Sequence, residues 1–354
     1  MSYYNELKQA LQEDLGWHGA RVSFLALFLL ALVKVKTVNL SEIAEGFGGK
    51  ALPSSSYKRL QRFFRHYKLD YDTVAQTVVR WMDIPQPWVL SVDRTTWEFG
   101  AVCFNILTLG IVHQGVAFPV LWWMLDKKGN SDSDERMRLI EAFCKLFPDA
   151  QVDFICGDRE FVGQAWLRYL LLEPAMGFRL RIRASDKIEH NGKALAAKVV
   201  FAHLKIGESQ TLKGVCRVWG YQVSVEALRL DDGKLLVVIA PPRSEKIIEG
   251  YALRWNIETL FGILKTRGFC LEATHLTEQE RLRKLFALLT LALCWSMRTG
   301  LWLHQLKPIP IKTHGRRAKS IFRLGFDHLR HIVLNPDSSN RQEFQQSLRL
   351  LSCT

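Results

Sequence analysis

The chain has no Cys-x-x-Cys pair, no His-Glu-x-x-His pattern, no internal repeat and no low-complexity tract. Its seven cysteines (Cys103, Cys144, Cys156, Cys216, Cys270, Cys294 and Cys353) are odd in number and widely scattered. A disulfide framework or a zinc site from paired thiols is therefore excluded, and the cysteines are expected to be buried, reduced thiols. Uninterrupted apolar runs are short: Phe24 to Val33 and Leu285 to Met297 both fall below the ~18 to 20 residues of a spanning helix. Glu6, Glu13 and Asp14 stand where a secretory signal would carry basic residues, so neither export nor membrane insertion is expected, and the reading is cytoplasmic. Acidic residues are also scarce. There are 35 Asp and Glu against 48 Lys and Arg, a net charge of +13 that points to an anionic partner.

At 354 residues and 48% hydrophobic content, two or three domains with a substantial core are expected. Residues 1–85 read as a helical DNA-binding domain, with helices at Ser23 to Lys36, Ser41 to Phe47 and Ser54 to Tyr67. In the last of these, Lys58, Arg59, Arg62, Arg65 and Lys68 follow one another without an acid, and the spacing keeps several on one side. That basic edge is suited to DNA phosphates, with a solvated helix face as the competing reading.

From Trp88 the pattern becomes extended: Trp88 to Val92, Val102 to Val112 and Val116 to Met124 form a meander, the last two joined by His113-Gln114-Gly115. A helix capped at Asp132 and Ser133 precedes a buried strand at Val152 to Cys156. Another helix and a strand near Phe178 to Ile182 follow. This order argues for a mixed α/β core over 86–184. Residues 185–243 read as a β-rich insertion, 244–275 as a long helix from about Ser244 to Gly268 completing the core, and 276–354 as a C-terminal helical region. Between Lys307 and His331 that region carries a surplus of six positive charges, suited to DNA, with a solvated basic tail as the competing reading.

Asp93 ends the first strand in VLSVDRTT, and Asp158 follows the fourth in DFICGDREF. Carboxylates held there by rigid backbone can converge on hard divalent cations, although aspartate also ends strands as an ordinary turn residue. In the long helix, Tyr251, Arg254, Glu258 and Lys265 fall at roughly 0°, 300°, 340° and 320° at ~100° per residue, on one narrow face. Leu253, Ile257, Leu260, Phe261 and Leu264 lie between roughly 180° and 280° and face a core. One carboxylate between permanent cations and a phenol suits a phosphate-handling metal site; ordinary Glu-to-Lys pairing on an exposed face is the other reading.

Asp93, Asp158 and Glu258, with Tyr251, Arg254, Glu258 and Lys265 in the Tyr-(2)-Arg-(3)-Glu-(6)-Lys pattern, resemble the DDE transposases of the insertion-sequence-four family over Trp88 to about Gly268. The resemblance implies a ribonuclease-H-like core and a catalytic triad of Asp93, Asp158 and Glu258 holding two magnesium ions, with manganese as a substitute. It also implies phosphate contacts from Tyr251, Arg254 and Lys265, and cut-and-paste transposition through a hairpin intermediate. The partners implied are double-stranded DNA, both terminal inverted repeats and target, and a second copy in a homodimeric synaptic complex. An extruded base needs an aromatic surface, for which Trp255 and Trp219 are candidates; core packing is the competing expectation for each. A related metal-dependent nuclease and a non-catalytic DNA-binding regulator derived from a transposase are the alternative functions.

Overall fold

A computed structural model describes residues 2–99, 102–313 and 315–351. Cys353, expected to be a reduced thiol, lies outside the described residues. The chain opens with five helices: α1 (Tyr3–Leu15), α2 (Gly19–Val35), α3 (Leu40–Gly46), α4 (Pro53–His66) and α5 (Tyr71–Met82). Strands β1 (Trp88–Phe99), β2 (Val102–His113) and β3 (Val116–Met124) follow, then α6 (Ser133–Leu146), β4 (Val152–Gly157), α7 (Gln164–Leu172) and β5 (Phe178–Ile182). Next come β6 (Lys187–His190), β7 (Lys193–Ala196), α8 (Ala197–Val200), β8 (Ser209–Thr211), β9 (Cys216–Val218), β10 (Tyr221–Arg229) and β11 (Leu235–Ala240). The chain ends with α9 (Ile247–Ala252), α10 (Trp255–Gly262), α11 (Gln279–Leu306), α12 (Ile321–Leu334) and α13 (Ser338–Arg349).

Two compact units divide these elements, Met1–Ile84 with Trp97–Phe104 and Phe261–Thr354, and Pro85–Thr96 with Asn105–Leu260. The first is mainly helical. Its α2 is apolar nearly all round and buried from Phe24 to Ala26 and from Phe28 to Val33, as a central helix must be. In α4, Leu60, Phe63 and Phe64 are buried, and Phe63 stacks on Phe24 with ring centroids 3.9 Å apart. That contact turns the opposite side of α4, with its cations, outward. The apolar run Leu285 to Met297 lies within α11, which is long and apolar enough by composition to cross a bilayer, contrary to the length expectation. Here 83% of its most apolar window is buried, and α5 and α12 pack against it. At the α11–α12 crossing only glycine fits: a Cβ on Gly325 would stand 1.9 Å from the Ser296 carbonyl oxygen, and one on Gly300 2.0 Å from that of Ile321.

The second unit carries most of an 11-stranded mixed sheet ordered β3-β2-β1-β4-β5-β11-β10-β9-β6-β7, with β8 on β10. β1, β4 and β5 are parallel, whereas β2 and β3 form an antiparallel hairpin and β11 runs antiparallel to β5. Parallel neighbours need a crossover. α6 supplies it between β3 and β4, starting from a full capping box in which Asp132 and Glu135 exchange side-chain-to-backbone hydrogen bonds. Through β11 and β10, the segment read as an insertion continues the core sheet.

Two readings of local structure are corrected. β1 does not stop at Val92, because the part beyond it keeps strand geometry to Phe99; only its pairing with β4 ends, at Ser91↔Cys156. Asp93 is thus inside a strand, just past the point where one neighbour leaves. The long helix expected from Ser244 to Gly268 starts at Ile247 after left-handed Arg243 and Lys246, and it is interrupted at Leu253 and Arg254. There the amides of Leu253, Arg254, Asn256 and Ile257 bond three residues back rather than four, a tightened turn, and residues Ile263–Arg267 then widen into a π turn. A uniform 100° step does not apply across such a segment. The C-terminal region, read as helical over 276–354, resolves into α11, α12 at Ile321–Leu334 and α13 at Ser338–Arg349.

Candidate active site

The parallel strands bring the two aspartates together. β1 and β4 pair as Leu90↔Ile155 and Ser91↔Cys156 and then part, with Asp93 and Asp158 each two residues past the last pair and the Asp158 charge acting on Asp93. Both lie at the carboxyl edge of the parallel strands, where open α/β sheets place their sites. Asp93 Oδ1 accepts the Arg94 N–H at 2.7 Å, and Asp158 Oδ1 accepts that of Glu160 at 2.8 Å. Each carboxylate is oriented by a backbone N–H close by in sequence.

Arg254, in the tightened turn before α10, links Asp93 to Glu258. Its guanidinium lies 3.6 Å from Asp93 Oδ2 and donates to Glu258 Oε1 at 2.7 Å. Arg254 is 5% exposed, while the Glu258 side chain is 41% exposed. Tyr251 is buried with its ring 5.6 Å from the Arg254 guanidinium carbon. The pairing is incomplete, since Tyr251 Oη and Arg254 Nε are buried without a hydrogen-bond partner. Burial pushes the Asp93 carboxyl up to about 7; the Asp158 and Glu258 charges push the same way, and the Arg94 N–H and the Arg254 guanidinium oppose it. Burial likewise raises the Tyr251 phenol, against the Arg254 and Arg181 charges.

The donor set is all oxygen, which suits magnesium or manganese. Among the described residues, however, no three His, Cys, Asp or Glu side chains stand close enough to hold one ion. Arg254 stands between two of the carboxylates, 3.6 Å from Asp93 Oδ2 and 2.7 Å from Glu258 Oε1. The residues fit such an ion in kind, with Glu258 tied to Arg254.

At the same edge, Arg94 and Glu160 form a second ion pair that was not expected from the sequence. Arg94 Nε meets Glu160 Oε1 at 3.0 Å, with the two side chains 14% and 12% exposed. The remaining Arg94 nitrogens donate to Asn105 Oδ1 and Asn130 Oδ1, each at 3.0 Å. Glu160 Oε1 also accepts from Ser131 N and Oγ, and Arg136 donates to the same serine. These bonds hold the Glu160 carboxyl below its ordinary range despite the opposing effect of burial. Since Arg94 follows Asp93 in β1 and Glu160 lies two after Asp158, the pair ties strand β1 at Asp93 to the turn after β4 that carries Asp158. The Asp-Arg repeated in VDR and GDRE was the available signal.

The other expected residues are found as follows. Lys265 belongs to the helical unit, in the π turn, 3.2 Å from Glu272 and 5.5 Å from the Trp97 ring centroid. Trp255 is 59% exposed, with the Arg254 guanidinium 4.8 Å from its ring centroid, so core packing does not describe it. Trp219 is half-buried at the β9–β10 hairpin, where Trp219 and Gly220 have φ of 50° and 85°, a tight turn with both central residues left-handed. Lys58, Arg62 and Arg65 are exposed with Gln61 and His66 around a hollow of about 420 Å³, with Arg59 half-buried nearby. In the C-terminal stretch, Lys319 and Arg323 face Asp327, and Arg330 donates to the Lys34 carbonyl. Less of that charge is free than the sequence suggested.

The transposase DDE domain model matches residues 118–295, which include Asp158, Tyr251, Arg254, Glu258 and Lys265 and begin after Asp93. No curated protein matches the sequence. Among solved structures, the chain is similar to a cryo-EM structure of a piggyBac transposase synaptic complex with hairpin DNA, with a TM-score of 0.51 and 10% identity over 99% of this chain and 80% of that one. The likeness is one of fold and, with the strand order, bears out the ribonuclease-H-like mixed core. With half of its length matched, the chain belongs to the family of transposases with a DDE domain.

Proposed function

We propose that the chain is a metal-dependent DNA transposase of the insertion-sequence-four type, which cuts and rejoins phosphodiester bonds at the ends of a mobile element by cut and paste. The observation that supports this reading is that Asp93 feels the charges of both Asp158 and Glu258, with Arg254 between Asp93 and Glu258. Asp93, Asp158 and Glu258 would hold two magnesium ions, or manganese in their place, which supply Lewis-acid stabilisation of attacking and leaving oxygens in an in-line displacement. A scissile phosphate offers the Arg254 guanidinium an alternative bidentate partner, and its transfer to that phosphate frees Glu258. Tyr251 Oη, unpartnered, is a donor for the same phosphate, and Lys265 is a further phosphate contact.

Hairpin formation requires the 3′-hydroxyl of the first cut to attack the opposite strand across a distorted backbone. A base extruded there finds a surface on Trp255, or on Trp219 at the hairpin tip. The partners in this reading are double-stranded DNA in the cytoplasm, both terminal inverted repeats and target, and a second copy of the chain in a synaptic complex. Residues 1–85 serve as a DNA-binding domain through Lys58, Arg59, Arg62 and Arg65. Residues 86–184 and 244–275 form the catalytic core around 185–243, and 276–354 supports pairing of copies.

The test incubates purified protein with DNA bearing the sequences that flank its gene, with magnesium, and compares wild type with Glu258→Gln on a denaturing gel. Nicked and hairpin products from wild type alone are expected. Nicks without hairpins would leave a nuclease, binding without cleavage by either protein would leave a regulator, and equal cleavage by both would remove Glu258 from the site.

A further inference from the structure

Strand β5 reads Phe-Arg-Leu-Arg-Ile, and Arg183 continues it, so arginine recurs at every second position while Phe178, Leu180 and Ile182 are buried. One face of a central strand is therefore built of cations. Arg179 is used locally, against the Phe154 ring at 4.6 Å. Arg181 and Arg183 line a groove of about 320 Å³ with Arg159 and Lys198. None of the groove's lining residues is acidic. Its two other cations are committed: Lys234 pairs with Asp232 at 2.7 Å, and Arg229 donates to the carbonyls of Phe201, Leu204 and Gly233. The nearest acid in the turn, Asp186, accepts the backbone N–H of Arg183. Among the described residues, the side chains of Arg159, Arg181, Arg183 and Lys198 have neither an ion pair nor a hydrogen-bond partner.

The groove is aligned with the carboxylates. β4 pairs with β5 up to Gly157↔Leu180, one residue before Asp158 and Arg181, and with β1 up to Ser91↔Cys156, two residues before Asp158 and Asp93. Asp158 lies within electrostatic reach of Asp93, and Asp158 and Arg181 both lie within reach of the Tyr251 phenol. Arg159 extends the same edge. Four unpaired cations confined to one groove repel one another, and a polyanion that passes the carboxylates relieves that repulsion.

We propose that Arg159, Arg181, Arg183 and Lys198 form a track for the sugar-phosphate backbone of the DNA strand that continues from the reacting phosphate at Asp93 and Asp158. The inference rests on the transposase reading, which named none of these residues. The track grips phosphates and not bases, so it adds affinity without sequence preference.

The test measures binding of a short fluorescent duplex and of the corresponding single strand by anisotropy, across a salt series, for wild type and Arg183→Ala/Lys198→Ala. Both positions are exposed, which keeps the variant folded. Each lost phosphate contact lowers the slope of log affinity against log salt by about 0.9 for duplex and about 0.7 for single strand, so the double variant loses about 1.4 to 1.8. The probe that shows the loss identifies paired or unpaired DNA as the occupant. An unchanged slope on both probes, with wild type binding DNA and cleaving it in a Glu258-dependent way, overturns the track and leaves the transposase reading intact. A reduced slope without Glu258-dependent cleavage keeps the track and overturns that reading. Failure of wild type to bind either probe overturns both.

Discussion

Two arginine–carboxylate pairs stand at the same edge of the sheet and are built in opposite ways. Arg94 and Glu160 are nearly buried on both sides, and the serine and asparagines around them complete their bonds. Arg254 is as deeply buried, but it is shared between Asp93 and Glu258, keeps an unsatisfied Nε, and reaches a carboxylate that is largely in water. The first arrangement has a single favourable geometry, whereas the second holds its partners loosely enough to exchange them. Unsatisfied polar atoms of this kind concentrate where a protein sacrifices local stability for function. A completed pair next in sequence to Asp93 and Asp158 gives a rigid base for carboxylates that must rearrange.

The sharpest way to break this comparison is to remove each arginine in turn. Arg94→Ala leaves Glu160 buried and uncompensated and is expected to cost about 3 to 5 kcal/mol in denaturant unfolding. Arg254→Ala is expected to lower the rate of DNA cleavage on the order of 10²- to 10³-fold, the scale of losing one transition-state donor. Its unfolding free energy should fall by much less than that of Arg94→Ala, since Glu258 is already solvated. A loss of stability in Arg254→Ala equal to that in Arg94→Ala would make both pairs structural.

The same contrast gives opposite signs with pH. Asp93, pushed up to about 7, keeps a proton in the folded chain that an unfolded aspartate, with a pKa near ~3.9, has released. The folded state binds more protons in that window, so the Asp93 contribution makes stability fall as pH rises from about 4 to about 7. Glu160 is held below its ordinary range, so its contribution is present above the unfolded glutamate value and is lost as pH falls through the lowered folded one. Thermal unfolding with chelator, across pH, should lose the first slope in Asp93→Asn and the second in Glu160→Gln. An Asp93→Asn protein with the wild-type slope between about 4 and 7 would place that titration elsewhere.

Legibility of the sequence follows the same division. Alternation and capping were enough to find β2, β3, α6 and the carboxyl edge that bears Asp158, because each depends on neighbours within a few residues. The extent of β1 depends on which partner strand ends first, and the tightened turn at Leu253 and Arg254 depends on backbone bonds, neither of which hydropathy encodes. α13 was not separately expected because its sequence is mostly polar; Phe344 and Leu348 are its buried apolar anchors, and Asp337 caps it by accepting from Asn340 N. At the site, motif spacing named Tyr251, Arg254 and Glu258 together, while Arg94 with Glu160 and the arginine ladder of β5 were missed. Those residues act through strands that only the folded sheet makes adjacent.

Trp255 offers the smallest but most specific test. At 59% exposure it contrasts with Trp81 and Trp166, which are almost wholly buried. Truncation of Trp255 to alanine should therefore change unfolding free energy by no more than about 0.5 kcal/mol, as for other surface positions. If an extruded base stacks on it, the same change weakens binding to DNA with an unpaired base near the cleavage point by about 1 to 3 kcal/mol. Binding to intact duplex should stay near wild type, because a paired base offers no free face. Trp255→Phe should recover part of the loss, which separates stacking from any effect on Arg254, whose guanidinium lies over the ring. An equal loss on both DNA forms would tie Trp255 to the placement of Arg254, and a large loss of stability would return it to packing.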